Sequence, residues 1–336
     1  MQTRTLGPFQ VSAIGLGCMN LSHAYGAPVS AEQAERVLLS ALDAGVTLFD
    51  TATLYGFGAN ETLVGKVLKP HRQKFTLASK CGMQGVDLHG DGKLVRVIDG
   101  HPQTLRKTCE DSLRRLQTDV IDLYYLHRWD KRVPIEDSVG ALGELVQKGH
   151  IRSIGLSEVS AATLRRAHAE HPIAAVQTEY SLATRNPEIA VLDVCKELGV
   201  ALVAFSPVGR GLLCDTLLDL SALHAGDIRR SMPRFAPDNY AANLHLLTGV
   251  KQLANEVGCT LAQLAIAWLL HRGDHIIPIP GTTSLSHLAE DLEAASVPLN
   301  AATMAKLDEL INQNTVVGSR YNAQANSEVD TESFTP

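Results

Sequence analysis

"VTLFDTATLYGFGANETLVGKVL", residues 46–68, is a short apolar run, a polar and turn-rich connection, and then a helical pattern. Asp50 closes the run and Tyr55 follows it in the connection. This unit decides the fold because the chain repeats it. Apolar runs of strand length recur at 13–19, 46–50, 74–80, 119–127, 151–157, 173–180, 200–207 and 275–281. Helical patterns follow at 30–45, 60–68, 102–117, 134–149, 160–170 and 187–199. A longer irregular segment then leads to helices at 244–258 and 260–273, and the last run is followed by 285–295. Ser30 reads as an N-cap, and Gly45 and Gly149 as stops.

Eight such units with near-continuous apolar strands predict an α/β chain closed as a (β/α)8 TIM barrel. A doubly wound sheet is the alternative, but it would usually carry a GxGxxG turn after its first strand. Here that run ends "GLGCMN", residues 15–20, without the third glycine. "TRTLGPFQVS", 3–12, predicts an N-terminal β-hairpin, and "NAATMAKLDELINQN", 300–314, an extra C-terminal helix. The polar tail from about Val316 is expected either to close over the pocket or to stay disordered. The glycine-rich insert 81–100 reads as a mobile loop. No linker or shift of composition divides the chain, so residues 1–336 read as a single barrel domain.

A net charge of −6 and a pI near 6.1 argue against a nucleic-acid partner, which needs a basic face. No run reaches the 18 apolar residues of a membrane span, and the N-terminus lacks the apolar core of a signal peptide. Six cysteines, at 18, 81, 109, 195, 214 and 259, form no CxxC pair and read as free thiols. The expected location is the cytoplasm. Oligomeric state is not readable.

Chemistry in a barrel of this kind sits at the carboxyl ends of the strands. The residues closing the runs are Gly17, Asp50, Lys80, His127, Ser157, Gln177, Ser206 and Gly281. Taken singly, the charged ones read as turn or surface residues. On neighbouring strands of one rim they need partners, because an unpaired buried charge is costly. Lys80 can pair with Asp50 and stay charged. Its ammonium would lower the pKa of Tyr55 by about 1–3 units from about 10, preparing the phenol to give a proton to a developing alkoxide. His127 can orient a carbonyl oxygen by a hydrogen bond. The thirteen histidines include no HExxH pair, so no metal is expected, and a bound hydride carrier is the natural partner.

Seven blocks in order make the chain resemble the aldo-keto reductase superfamily over nearly its whole length. They are "GVTLFDTATLYG" (45–56), "LASK" ending at Lys80, "DVIDLYYLHRWD" (119–130), "GHIRSIGLSEVS" (149–160), "VQTEYSL" (176–182), "AFSPVGRGLL" (204–213) and "IIPIPGTTSLSHLAEDL" (276–292). "RRSMPRFAPDN" (229–239) and "GLSE" (155–158) are similar to the branch of bacterial and plant reductases with broad carbonyl specificity. The resemblance implies a (β/α)8 barrel that reduces aldehydes and ketones with NADPH, less often NADH. It implies Asp50, Tyr55, Lys80 and His127 as the catalytic tetrad.

The resemblance further implies Ser157 and Gln177 against the nicotinamide carboxamide, and Phe205 stacked on the ring. Phe205 reads equally as a core aromatic. Ser206, Pro207, Gly209, Gly211 and Leu212 match the loop that passes the pyrophosphate, where glycine admits backbone N–H groups. Gly281, Thr282, Thr283, His287, Glu290 and Asp291 match the adenosine-phosphate site. Four residues in two places depart from the family pattern. Glu158 stands where many members have Asn. Thr283, Ser284 and His287 stand where many have Lys or Arg, although a 2′-phosphate gains most from a cation. Tyr25, Phe57 and Trp129 are the candidate walls for a small-molecule carbonyl substrate, with rim packing as the alternative for Trp129. Apolar walls would suit aromatic or medium-chain aldehydes. Two other classes are weighed. A cofactor-binding, redox-sensing subunit would be expected to carry an extra segment for its partner. A metal-dependent barrel hydrolase would cluster His and Asp ligands at its strand ends.

Overall fold

A computed structural model describes residues 2–334. The chain opens with an antiparallel hairpin, β1 (Thr3–Leu6) and β2 (Phe9–Ser12). Eight parallel strands follow in chain order: β3 (Leu16–Gly17), β4 (Leu48–Asp50), β5 (Thr76–Cys81), then, after a second hairpin of β6 (Met83–Val86) and β7 (Val95–Ile98), β8 (Ile121–Leu126), β9 (Ile151–Ser157), β10 (Ile173–Glu179), β11 (Ala201–Phe205) and β12 (Ile276–Pro278). Each parallel strand pairs with its successor in that series. Gly15 N–H donates to Pro278 O at 3.0 Å and Gly17 N–H to Pro280 O at 2.9 Å, joining the first strand to the last. A doubly wound order is ruled out by this closure.

The helices α1 (Ala31–Asp43), α2 (Ala59–Leu68), α3 (Pro102–Leu116), α4 (Ile135–Gln147), α5 (Ala161–Glu170) and α6 (Val191–Leu198) alternate with the strands. They are followed by α7 (Pro237–Val257), α8 (Leu261–Arg272), α9 (Leu285–Glu293), α10 (Ala301–Leu310) and a short α11 (Ala323–Ser327). Local chemistry sets their ends. Ser30 Oγ accepts from Gln33 N–H to start α1, and Gly45 follows its end at φ 89. Thr260 and Gln263 form a reciprocal capping box on α8. No single helix among the described residues is long and apolar enough to cross a membrane.

Strand alternation separates two apolar layers. Phe49, Leu77, Tyr124, Leu126, Ile154 and Val176 point outward against the helices. Leu48, Ala78, Leu123, Tyr125, Ala175 and Val203 fill the barrel, where Leu6 and Val11 of the first hairpin join them. Tyr125 has room only because Gly155 faces it: a Cβ at 155 would lie 2.3 Å from its ring.

Two expectations change, and the alternative left open for the tail is decided. Residues 81–100 contain the β6–β7 hairpin rather than an open loop; alternating Met83–Val86 and Val95–Ile98 pair across a glycine-rich turn whose backbone N–H groups Asp87 accepts. Helix α7 begins at Pro237, ahead of the apolar periodicity, because proline suits a first helical position. The tail lies ordered on the rim. Asp330 N–H donates to Glu158 O, Lys131 Nζ to Ser327 O and Val329 O, and Asn186 Nδ2 to Glu332 O.

Candidate active site

Every second residue on a barrel strand points inward, so the site is built from the inward residue one step past the core. Leu48 leads to Asp50, Ala78 to Lys80, Tyr125 to His127, Gly155 to Ser157 and Ala175 to Gln177. These side chains converge at the floor of a cavity of about 900 Å³. That volume suits a dinucleotide-sized ligand rather than a water cluster.

Lys80 is wholly buried beneath the cavity. Its ammonium is paired with Asp50 Oδ1, and it donates to Thr51 O at 2.8 Å and Tyr55 Oη at 3.3 Å. Gln177 Nε2 donates to Asp50 Oδ2 at 2.8 Å, so both carboxylate oxygens are held. Burial alone would lower the Lys80 pKa, but Asp50 and Tyr55 hold it above its ordinary value. Burial raises Asp50 against the pull of Lys80. For Tyr55, burial outweighs the attraction of Lys80, and the phenol lies above its usual value. The expected lowering is therefore overturned: desolvation of the phenolate is the larger effect. The Tyr55 and His127 rings meet edge to face at 5.9 Å. His127 is pushed well below the ordinary histidine value by burial and then by Arg128, Lys80, Arg96 and His23, so its imidazole is neutral. Its Nδ1 is buried without a partner.

The cavity runs from this floor along Phe205, Ser206, Pro207, Arg210 and Gly211 to Thr282, Thr283, His287, Glu290 and Asp291. Ser157, Gln177, Gly281 and Tyr25 also line it, whereas Gly209 and Leu212 lie behind the wall. Ser206, Gly209, Arg210 and Gly211 all have positive φ, between 52 and 90°, which turns the backbone sharply around the cavity. Ser157 Oγ accepts from Arg128 Nη1 at 3.2 Å, and Gln177 spends one of its two amide N–H donors on Asp50. Phe205 serves both of its readings: it packs on the inner core and faces the cavity.

Two expected walls lie elsewhere. Trp129 donates to Val133 O at 2.8 Å and packs on the helical layer beneath the Arg166 guanidinium. Phe57 is 41% exposed and lies against Gly85 of the second hairpin. Met19, His23, Leu54, Met83, Arg96 and Arg128 line the cavity around Asp50, Tyr55 and His127, with Tyr321, Gln324 and Glu328 of the tail above. Arg128 directly follows His127 and could have been found from that adjacency. Arg96 and Glu328 are 232 residues apart and carry no local signal.

Glu158 points away from the cavity. It accepts from Arg320 at 2.9 and 2.5 Å and from Glu179 N–H at 2.9 Å. Burial would raise its carboxyl, but Arg320 holds it down at about 2. Arg210, bonded to Glu179 at 2.8 Å and to Tyr25 Oη at 3.1 Å, continues this buried network to the cavity wall. Glu158 thus fixes the tail. One trio of possible metal ligands, Asp99, His101 and Asp130, lies outside the cavity lining, and Arg132 already holds both Asp130 oxygens at 2.8 Å.

Known proteins agree with this architecture. The Aldo/keto reductase family model matches residues 13–312. An aldo-keto reductase of Schizosaccharomyces pombe, named for NADP(+), is 41% identical over 332 residues, covering 97% of this chain and 96% of its own. A probable aldo-keto reductase of Glycine max is 41% identical, covering 93% and 89%. Among solved structures, the glycerol dehydrogenase of Gluconobacter oxydans superposes with a TM-score of 0.83 at 27% identity, covering 92% of this chain and 94% of its own. An aldo/keto reductase of Klebsiella pneumoniae, solved with NADP and acetate, gives 0.70 at 26% identity, covering 96% and 99%. The chain belongs to the aldo/keto reductase family of oxidoreductases.

Proposed function

We propose that the protein reduces aldehydes or ketones to alcohols with NADPH as hydride donor, and that Tyr55 is the general acid. The observation that carries this reading is the buried ammonium of Lys80, shared between Asp50 and the Tyr55 hydroxyl at the floor of the cavity. The residues present fit a nicotinamide dinucleotide. His127 Nδ1 and Arg210 Nε are buried polar atoms without partners, and the sharply turned 206–211 backbone borders the elongated cavity. The relative named for NADP(+) and the neighbour solved with NADP favour NADPH; NADH is the second candidate.

NADPH, when bound, supplies the hydride to the carbonyl carbon. The chain's own part is proton delivery and placement. Tyr55, protonated at neutral pH, gives its proton to the carbonyl oxygen as negative charge develops there. Lys80 then stabilises the phenolate left behind, and Asp50, braced by Gln177, keeps the ammonium charged and in place. His127, neutral, donates a hydrogen bond that orients the carbonyl oxygen. The docked tail restricts water above the site. We assign these steps to one catalytic unit spanning the chain, acting on a small molecule in the cytoplasm.

The test is oxidation of NADPH and of NADH by the wild-type protein with a panel of aldehydes, ketones and quinones. Carbonyl-dependent oxidation, faster with NADPH, is expected. Tight cofactor binding without turnover on any carbonyl would favour a redox-sensing role.

A further inference from the structure

The reaction end of the cavity is lined by two arginines that the reduction of a simple aldehyde does not use. Arg128 follows His127 and lies between it and Ser157, giving Nη1 to His127 O at 2.6 Å and to Ser157 Oγ at 3.2 Å. Among the described residues no carboxylate lies within 4.0 Å of its guanidinium, although it faces a partly enclosed cavity. Arg96, on β7, reaches the same space past Met83, with Nη1 3.8 Å from Met83 Sδ. Its guanidinium is clamped by Glu328 of the tail, with contacts of 2.6 and 2.7 Å to the two carboxylate oxygens.

The balance of charge is one-sided here. Asp50 neutralises Lys80 below, leaving Arg96 and Arg128 near His127, with Glu328 as the facing anion. A guanidinium offers two parallel donors that match a carboxylate, and the Arg96 side chain, 40% exposed, is open to an incoming one. Glu328 occupies Arg96 in that manner, at the edge of the space where the substrate must sit. Both partners belong to elements inserted on the barrel, the β6–β7 hairpin and the tail, rather than to the strands that carry the tetrad.

We propose that Arg96, seconded by Arg128, is a receiving site for a carboxylate on the substrate, and that Glu328 is an internal carboxylate the substrate displaces. This rests on the carbonyl-reductase reading and narrows it. The preferred substrates are aldehydes or ketones that also carry a carboxylate, and the apolar side chains of Met19, Leu54 and Met83 beside the arginines suit an aromatic or short aliphatic body between the two groups.

The experiment compares 4-carboxybenzaldehyde with 4-methylbenzaldehyde, of similar shape but neutral, using NADPH and the full chain at low salt. The wild type is expected to favour the acid by about tenfold or more in kcat/KM. Arg96→Met is expected to raise KM for the acid and bring that ratio near one. Glu328→Gln, which frees Arg96, is expected to lower KM for the acid several-fold. These opposite signs separate a receiving site from a mere latch, because both substitutions break the same clamp. Movement of KM in the same direction in both variants would overturn the proposal, as would equal kcat/KM for the two aldehydes in the wild type. Benzoate against benzamide as competitive inhibitors of the wild type gives a check without any variant: benzoate should inhibit at lower concentration, and equal inhibition would contradict the proposal. Turnover of neither aldehyde nor any other carbonyl would instead strike the reductase reading itself, and the carboxylate site with it.

Discussion

The two ends of the cavity are built on opposite principles. At the reaction end, Asp50 and Lys80 are fully enclosed, both oxygens of Asp50 are held, and the ammonium has three partners. At the far end, Thr282, Thr283 and His287 stand with Asp215, Glu290 and Asp291; residues 281–291 include no Lys or Arg, and Arg229 of the lining is paired with Asp227. The acids there act on one another: burial and then Glu290 raise the Asp291 carboxyl to about 7. Proton transfer needs a charge fixed relative to one atom, and only rigid strands with paired charges give that. A nucleotide held along an extended loop demands less of such fixing. On the proposed reading, catalytic power lies at the strand ends and cofactor choice rests with a few side chains of the far end.

The largest effect is expected at the rigid end. Lys80→Met leaves Asp50 buried and uncompensated, which should cost about 3–5 kcal/mol of stability and at least about 100-fold in kcat. Denaturant unfolding and steady-state rates measure both; a variant with wild-type rate and pH profile would break the comparison. Next comes the tail that roofs this end. The Glu158 carboxyl lies at about 2 when folded, below its ordinary value of 4.5, so its stabilisation is present above pH 4.5 and fades as pH falls toward 2. That shift corresponds to about 3 kcal/mol. Thermal melts of wild type and Glu158→Gln should therefore differ near neutral pH and converge in acid, and a gap constant across that window would contradict the assignment. The smallest effect is expected at the far end. Thr283→Arg should raise the NADPH/NADH ratio of kcat/KM by about tenfold by adding the missing cation. An unchanged ratio would mean the 2′-phosphate sits elsewhere.

The same contrast explains what could be read from the sequence. The convergence of Asp50, Lys80 and His127 was legible because alternation and strand ends are local properties: Ala78 inside implies Lys80 inside, and Leu48 implies Asp50. The barrel followed from eight repeats of one unit. Charge position was legible, but not its strength, since whether burial or Lys80 prevails at Tyr55 depends on enclosure by distant elements. Trp129 and Phe57 fall outside the cavity lining for a related reason. Closeness in sequence to His127 or Tyr55 says nothing of the side on which a loop side chain falls, and here Val133 O and Gly85 claim them. Glu158 had no visible role because its partner, Arg320, is 162 residues away.

The central claim is that the Tyr55 phenol delivers the proton while other groups hold the cofactor. Tyr55→Phe removes one hydroxyl from the floor and leaves the cavity wall intact. Single-turnover mixing of this variant with NADPH and an aldehyde the wild type reduces, beside a fluorescence titration of NADPH, tests it most directly. The account predicts NADPH binding within a few-fold of wild type and hydride transfer slower by about 100- to 10,000-fold. Wild-type transfer with equal binding would show that another group is the acid.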